Sequence, residues 1–204
     1  YPDYYQSHGI GFYEFFQLSE DLEAEPLPVL NAGIFCQYMA EDISLHAPLD
    51  SLQSYIQDAL DLIEFANGDT LTYWGKKRAE LGHPLPFRLK YLGIGNEQWG
   101  PEYVERLSLF VKSIREKYPD IIIIGSAGPK PDGADFDFLW KKMNELKVDC
   151  VDEHFYKDEE WFASQADRYD NYNRNGDKVL AAENPCHCRL DESNRIDDTM
   201  LDHK

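Results

Sequence analysis

The chain has 204 residues, 43% hydrophobic and 14% aromatic, enough for one domain with a substantial core and too apolar for a disordered chain. Lys and Arg total 20 against 38 Asp and Glu, a formal charge of −18; this repels phosphate backbones, argues against nucleic acid as a partner and suits a neutral ligand such as a sugar. No apolar run approaches the roughly 20 residues that span a bilayer, so no membrane partner is expected.

Tyr1-Pro2-Asp3-Tyr4-Tyr5 lacks the basic and apolar regions of a signal peptide. The spacing of Ile10, Phe12, Phe15, Phe16, Leu18 and Leu22 predicts a helix with a broad apolar face. Leu27 to Ala32 reads as a strand, weakened at its start by Pro26 and Pro28. Leu52 to Phe65 is amphipathic, with Asp50 or Ser51 as N-cap and Gly68 closing it. Asn67 to Pro86 reads as a long loop with one helical turn around Lys76 to Leu81. Leu89 to Ile94 is a strand, Glu102 to Tyr118 a helix ending before Pro119, and Ile121-Ile122-Ile123-Ile124 a strand buried on both faces. Then come a helix from Phe136 to Leu146, a strand from Val148 to Phe155, a helix from Glu159 to Tyr172 and a strand from Val179 to Ala182. The polar tail from Arg189 to Lys204 could begin a further helix.

Repeated alternation of helices with apolar strands implies an α/β fold with a parallel sheet. No Gly-x-Gly-x-x-Gly follows the first strand and no P-loop signature occurs, which disfavours dinucleotide and nucleoside-triphosphate folds. An eight-stranded barrel takes about 250 residues. Five visible strands, with a helix first, therefore read as part of a (β/α)8 TIM barrel in one unit over residues 1–204, with no second domain visible. Cys36, Cys150, Cys186 and Cys188 are too few and scattered for a disulfide scaffold; Cys36 and Cys150, beside apolar runs, read as buried thiols. Cys186-His187-Cys188 lacks the second ligand pair of a zinc site, so no metal is expected.

The chemistry gathers at strand ends. Tyr91-Leu92-Gly93-Ile94-Gly95 runs into Asn96-Glu97, then Gln98-Trp99-Gly100, and Val179 to Ala182 runs into Glu183. In (β/α) barrels the C-terminal ends of strands carry the reacting groups, and two carboxyls are the minimum for hydrolysing a glycosidic bond. In a retaining enzyme they stand about 5–5.5 Å apart, against roughly 6.5–9.5 Å for inversion. Asn96 could donate to a sugar hydroxyl, or the Asn-Glu pair could be a turn or cap. Trp99 could stack on a sugar ring or be a core or lid aromatic. Strand alternation puts Asp152, His154 and Tyr156 on one face; a Tyr hydroxyl there could hydrogen-bond a nucleophilic carboxylate and hold it ionised, while His154 alone could be structural.

The stretches Gly95-Asn96-Glu97-Gln98-Trp99-Gly100-Pro101-Glu102-Tyr103 and Val151-Asp152-Glu153-His154-Phe155-Tyr156 resemble the α-L-arabinofuranosidases of glycoside hydrolase family 51. Gly68-Asp69, Trp74-Gly75, Gly82-His83-Pro84 and Tyr169-Asp170-x-Tyr172-x-Arg174 extend the likeness from about Gly9 to about Glu183. The resemblance implies barrel strands of about three to seven, retention of configuration, Glu97 as acid/base and Glu183 as nucleophile. It also implies Asn96 against the arabinose and His154 and Tyr156 lining the site near the nucleophile. It further implies an arabinose-containing oligo- or polysaccharide as substrate, no cofactor, and the family's frequent homo-oligomers. The acid role of Glu97 would need a raised pKa, from burial and the Glu183 charge. Ala182-Glu183-Asn184-Pro185-Cys186 departs from the family's usual Gly-Glu-Tyr-Ala, and the first, second and last barrel strands and a C-terminal β-sandwich are not in the sequence. A non-catalytic carbohydrate-binding fragment, or another barrel glycosidase of the same clan, are the alternatives.

Overall fold

Apolar runs too short for helices become parallel strands. In the computed structural model, which describes residues 9–39, 42–173, 176 and 178–182, these are β1 (Val29–Leu30), β2 (Tyr91–Ile94), β3 (Ile122–Ser126), β4 (Cys150–His154) and β5 (Val179–Ala182). They form one sheet in the order β1-β2-β3-β4-β5, every neighbour parallel. Parallel neighbours require crossovers, supplied by α2 (Leu52–Asn67) with α3 (Tyr73–Glu80), α4 (Pro101–Lys117), α5 (Ala134–Leu146) and α6 (Glu159–Ser164); α1 (Phe12–Asp21) precedes β1. Strictly sequential order, with crossovers of the right hand that such units almost always take, carries the helices to one face, unlike a doubly wound sheet, whose strand order reverses at a switch point. Because every strand is parallel, the loops that follow strands meet at one end of the sheet.

The core lies between β2, β3, β4 and the helices. Leu52, Ile56, Ala59, Leu60, Ile63 and Ala66 make the buried stripe of α2, and Tyr103, Leu107, Phe110 and Ile114 that of α4, spacings that return to the same helix face. Gly125 sits where a Cβ would lie 2.4 Å from Met143 Sδ, so the absent side chain lets α5 approach β3.

Several local outcomes differ from the sequence expectation. The segment read as a loop with one turn holds the two-turn helix α3. Thr72 caps it, its Oγ1 accepting from Gly75 N–H at 3.1 Å. Arg78, fully buried, donates to the carbonyls of Phe65 (2.6 Å), Gly68 (2.8 Å), His83 (3.0 Å) and Pro84 (3.2 Å). One guanidinium thus satisfies the backbone of both flanking loops, a tertiary effect invisible to local propensity. At the other end of the sheet α6 stops at Ser164, short of the expected Tyr172, and turns follow. β1 is two residues long because Asn31 starts a turn, its Oδ1 accepting from Gly33 N–H and Ile34 N–H. Ser51 stands at the N-cap of α2 without a side-chain cap bond, and a 3-10 turn, Leu49–Ser51, leads in instead.

Helix α1 buries Phe16 alone; Ile10, Phe12, Phe15, Leu18 and Leu22 are exposed. Its packing comes from one side, with Phe16 at 5.2 Å from the Phe87 ring and Tyr13 edge-on to Phe65 and Phe87. Of the two cysteines read as buried, Cys36 is exposed and Cys150 half-buried, both as free thiols. Cys36 follows the Asn31 turn, which carries it out of the apolar run. Cys186, Cys188 and the tail from Arg189 lie outside the described residues.

Candidate active site

The exit from β2 is built to present a carboxyl. Gly95 has φ +79°, and a Cβ there would lie 2.3 Å from Gln98 Oε1 and 2.8 Å from Tyr103 Cε2, so glycine is required twice over. Glu97 itself is left-handed, φ 55°, a conformation costing a non-glycine residue on the order of 1–3 kcal/mol and concentrated at functional sites. Behind the turn, the buried Tyr103 hydroxyl donates to Ile94 O at 2.6 Å and accepts from Ser126 N–H at 2.9 Å. It stitches the ends of β2 and β3 together, and burial, the larger effect, pushes its pKa far up.

From β4, alternate residues Asp152 and His154 point to the same side. His154 lies between two carboxyls: Nδ1 is 2.9 Å from Glu97 Oε1 and Nε2 is 2.9 Å from Asp152 Oδ2. His154 is 1% and Asp152 9% exposed, so both pairs work where Coulomb interactions are weakly screened. The Glu97 carboxyl is held below the ordinary glutamate range, first by the His154 hydrogen bond; burial opposes this, and Tyr156 adds a second hydrogen bond. The sequence reading expected a raised value. Among the described residues the imidazole outweighs desolvation, which reverses the sign.

The intervening residue, Glu153, faces the helices. It is fully buried and accepts from Trp140 Nε1 (2.8 Å), Tyr172 OH (2.7 Å), Tyr169 OH (3.3 Å) and Arg168 Nε (3.2 Å). Arg168 also donates to Pro131 O at 2.6 Å and lies over the Phe136, Phe155 and Trp161 rings. Satisfying one buried carboxylate thus draws in the residues after α6, which is why that helix ends early. Glu153 anchors β4 while its neighbours on the other face form the site.

Glu97 opens on a cavity of about 430 Å³ lined by Tyr38, Pro129, Lys130, Asp132, Tyr156 and Lys157. A second, also about 430 Å³, shares Tyr38, Pro129 and Lys130 with it and adds Met39, Trp99 and Phe136. Asn96 lines a third with Glu97, Trp99, Cys36 and Tyr38. A larger hollow of about 570 Å³ is bounded by α1, α2 and Trp74 and is mostly apolar; Glu97 and His154 are not in its wall. We assign the chemistry to the smaller cavities, because the Glu97 carboxyl lines two of them, with the buried His154 imidazole bonded to it from behind. Among the described residues no group of three or more His, Cys, Asp or Glu is arranged to hold a metal ion.

Of the residues expected at the site, Glu97, His154 and Tyr156 come together, and Asn96 and Trp99 flank Glu97 in adjoining hollows. Ala182 pairs with His154 across β4 and β5, but Glu183 lies outside the described residues. Sequence reasoning missed Tyr38, Lys130 and Lys157. Each follows a strand in a parallel sheet, the position where ligands bind, and that was the available signal.

A family model described as the alpha-L-arabinofuranosidase 1 domain matches residues 1–174. An extracellular exo-alpha-L-arabinofuranosidase from Streptomyces chartreusis is 46% identical over 184 residues, covering 88% of this chain and 22% of that protein. Alpha-L-arabinofuranosidase 2 from Arabidopsis thaliana is 36% identical, covering 88% of this chain and 24% of that protein. The chain thus spans about a quarter or less of these relatives. A solved arabinose-bound MgGH51 α-L-arabinofuranosidase superposes with TM-score 0.69 at 29% identity, over 87% of this chain and 26% of that one. Carboxyls and an imidazole at the ends of parallel strands, in a chain matched along most of its length, identify it as a member of the α-L-arabinofuranosidases of glycoside hydrolase family 51.

Proposed function

We propose that this chain is part of the catalytic domain of a retaining glycosidase that removes terminal α-L-arabinofuranosyl groups from arabinan, arabinoxylan or related oligosaccharides. Residues 1–204 are then about strands three to seven of a (β/α)8 barrel. Glu97 is the acid/base, giving a proton to the leaving oxygen and later taking one from water. Glu183 is the nucleophile, attacking the anomeric carbon to form a glycosyl-enzyme. Asn96 and Trp99 contact the sugar, and His154 and Tyr156 hold the Glu97 carboxyl in place. The reading asks for no cofactor, nucleic acid or membrane.

The observation that carries it is the Glu97 carboxyl in a left-handed turn, hydrogen-bonded to His154 at 2.9 Å and opening on a cavity. A carboxyl held by hydrogen bonds at a strand end is preorganised for proton transfer. The acid step needs a proton at a carboxyl that its surroundings hold low; the His154 imidazole, hydrogen-bonded to it at 2.9 Å, is the adjacent group that can share that proton. The full-length product of the reading frame should hydrolyse nitrophenyl α-L-arabinofuranoside in preference to the corresponding glucoside and galactoside. Glu183→Ala should reduce turnover by several orders of magnitude. Wild-type turnover in Glu183→Ala would remove the nucleophile assignment, and equal activity on all three glycosides would remove the substrate.

A further inference from the structure

The reading of Glu97 as acid/base leaves Asp152 without a role. This buried carboxylate points one oxygen at His154 Nε2, 2.9 Å away, and its other oxygen, Oδ1, is buried without a hydrogen-bond partner among the described residues. A carboxylate so placed is poorly stabilised unless the proton it faces stays where it is. Lys178 and Asp149 act on Cys150, which shares β4 with Asp152. Burial pushes the Cys150 thiol up to about 11, and Tyr103, from α4, is kept neutral in the same way. Tyr38 and Tyr156 reach the Glu97 side from the loops after β1 and β4, and Lys130, Lys157 and Asp132 stand at the cavity rim.

Proton counting gives the consequence. An ionised carboxylate only accepts, so two hydrogen bonds through one imidazole require two protons in the Asp152–His154–Glu97 array. One sits on Nε2 toward Asp152; the other lies between Nδ1 and Glu97 Oε1. We propose that Asp152 is a positioning residue of the acid/base: it pins the Nε2 proton, orients the His154 ring and raises the affinity of the Glu97–His154 pair for the second proton. This rests on the function proposed above. As the glycosidic C–O bond breaks, its electrons go to the leaving oxygen, which takes one proton from Glu97. The array, now one proton short, has lost one of its two hydrogen bonds. The water that attacks the glycosyl-enzyme returns a proton to Glu97 and restores both.

The test is Asp152→Asn in the full-length product, assayed with a dinitrophenyl arabinofuranoside, which needs little acid help, and an arabino-oligosaccharide, which needs much. With the negative charge removed, the basic limb of the kcat/KM pH profile should move to lower pH. Turnover of the oligosaccharide should fall about tenfold or more, within the roughly 10²–10⁴ that general acid catalysis supplies, and that of the activated substrate far less. An unmoved basic limb, or equal losses on both substrates, would overturn the proposal. Nitrogen NMR of His154 in the wild type provides a second arm that needs neither a folded variant nor activity. Nε2 should carry its proton at pH 7; a lone-pair signal there sinks the proposal. A wild type without arabinofuranosidase activity would defeat the functional reading but leave the NMR result to decide the Asp152–His154 bond.

Discussion

Gln37 clamps Trp99 through its backbone. The side-chain amide donates to Trp99 O and accepts from Trp99 N–H, both at 3.0 Å, pairing two loops that follow different strands. Tyr38 then meets the Trp99 ring edge-on at 5.2 Å. The clamp supports one wall of the cavities beside Glu97. Gln37→Ala should release both loops, raising KM for oligosaccharides several-fold while the melting temperature falls only slightly. Steady-state kinetics with thermal unfolding check this; an unchanged KM would mean that the Trp99 wall does not touch substrate.

The ionisation of Glu97 gives a pH prediction whose sign follows from its causes. Because the folded pKa is depressed, chiefly by the His154 hydrogen bond, the contribution of Glu97 to stability is complete above its unfolded value, about 4.3. It is lost as pH falls through the lower folded value. In His154→Ala the first cause disappears while burial remains, so the carboxyl should titrate higher. Carbon NMR of the Glu97 carboxyl measures the shift, and acid unfolding should lose the low-pH component that Glu97 contributed.

Tyr103 joins the ends of β2 and β3 through two backbone groups. Tyr103→Phe leaves the buried Ser126 N–H and Ile94 carbonyl without that partner, at a cost of about 1–3 kcal/mol. Denaturant unfolding should show that loss at constant m-value, with turnover reduced because Glu97 sits three residues beyond Ile94.

Arg78 should matter more to stability than any residue of the site. Its guanidinium serves four carbonyls from full burial, and Arg78→Ala would strand them and open a hole, costing more than about 3 kcal/mol. Arg78→Lys should recover only part, since one ammonium cannot reproduce the planar fork. Soluble expression and denaturation midpoints read this directly.

These relationships mark what the sequence made legible. The strands were readable because a parallel sheet buries both faces and so writes unbroken apolar runs, the four-isoleucine stretch before Gly125 above all. Glu97, His154 and Tyr156 were readable because reactive groups sit at the ends of such runs. The extent of α3 was not, because Arg78 is satisfied by carbonyls that tertiary folding brings to it. The early end of α6 was hidden in the same way, since the pull on Arg168 and Tyr172 comes from Glu153 on another element. Gln37 and Tyr38 lie in a loop without periodicity. The direction of the Glu97 shift depended on a partner 57 positions away.

The central claim is that Glu97 is the acid/base of a retaining arabinofuranosidase. It is tested most directly by Glu97→Ala in the full-length product, assayed on a dinitrophenyl arabinofuranoside with and without azide. The account predicts slow turnover that azide accelerates, yielding an arabinofuranosyl azide of retained configuration, because the anion attacks the glycosyl-enzyme where Glu97 would have activated water. Wild-type turnover without azide, or an azide product of inverted configuration, would contradict it.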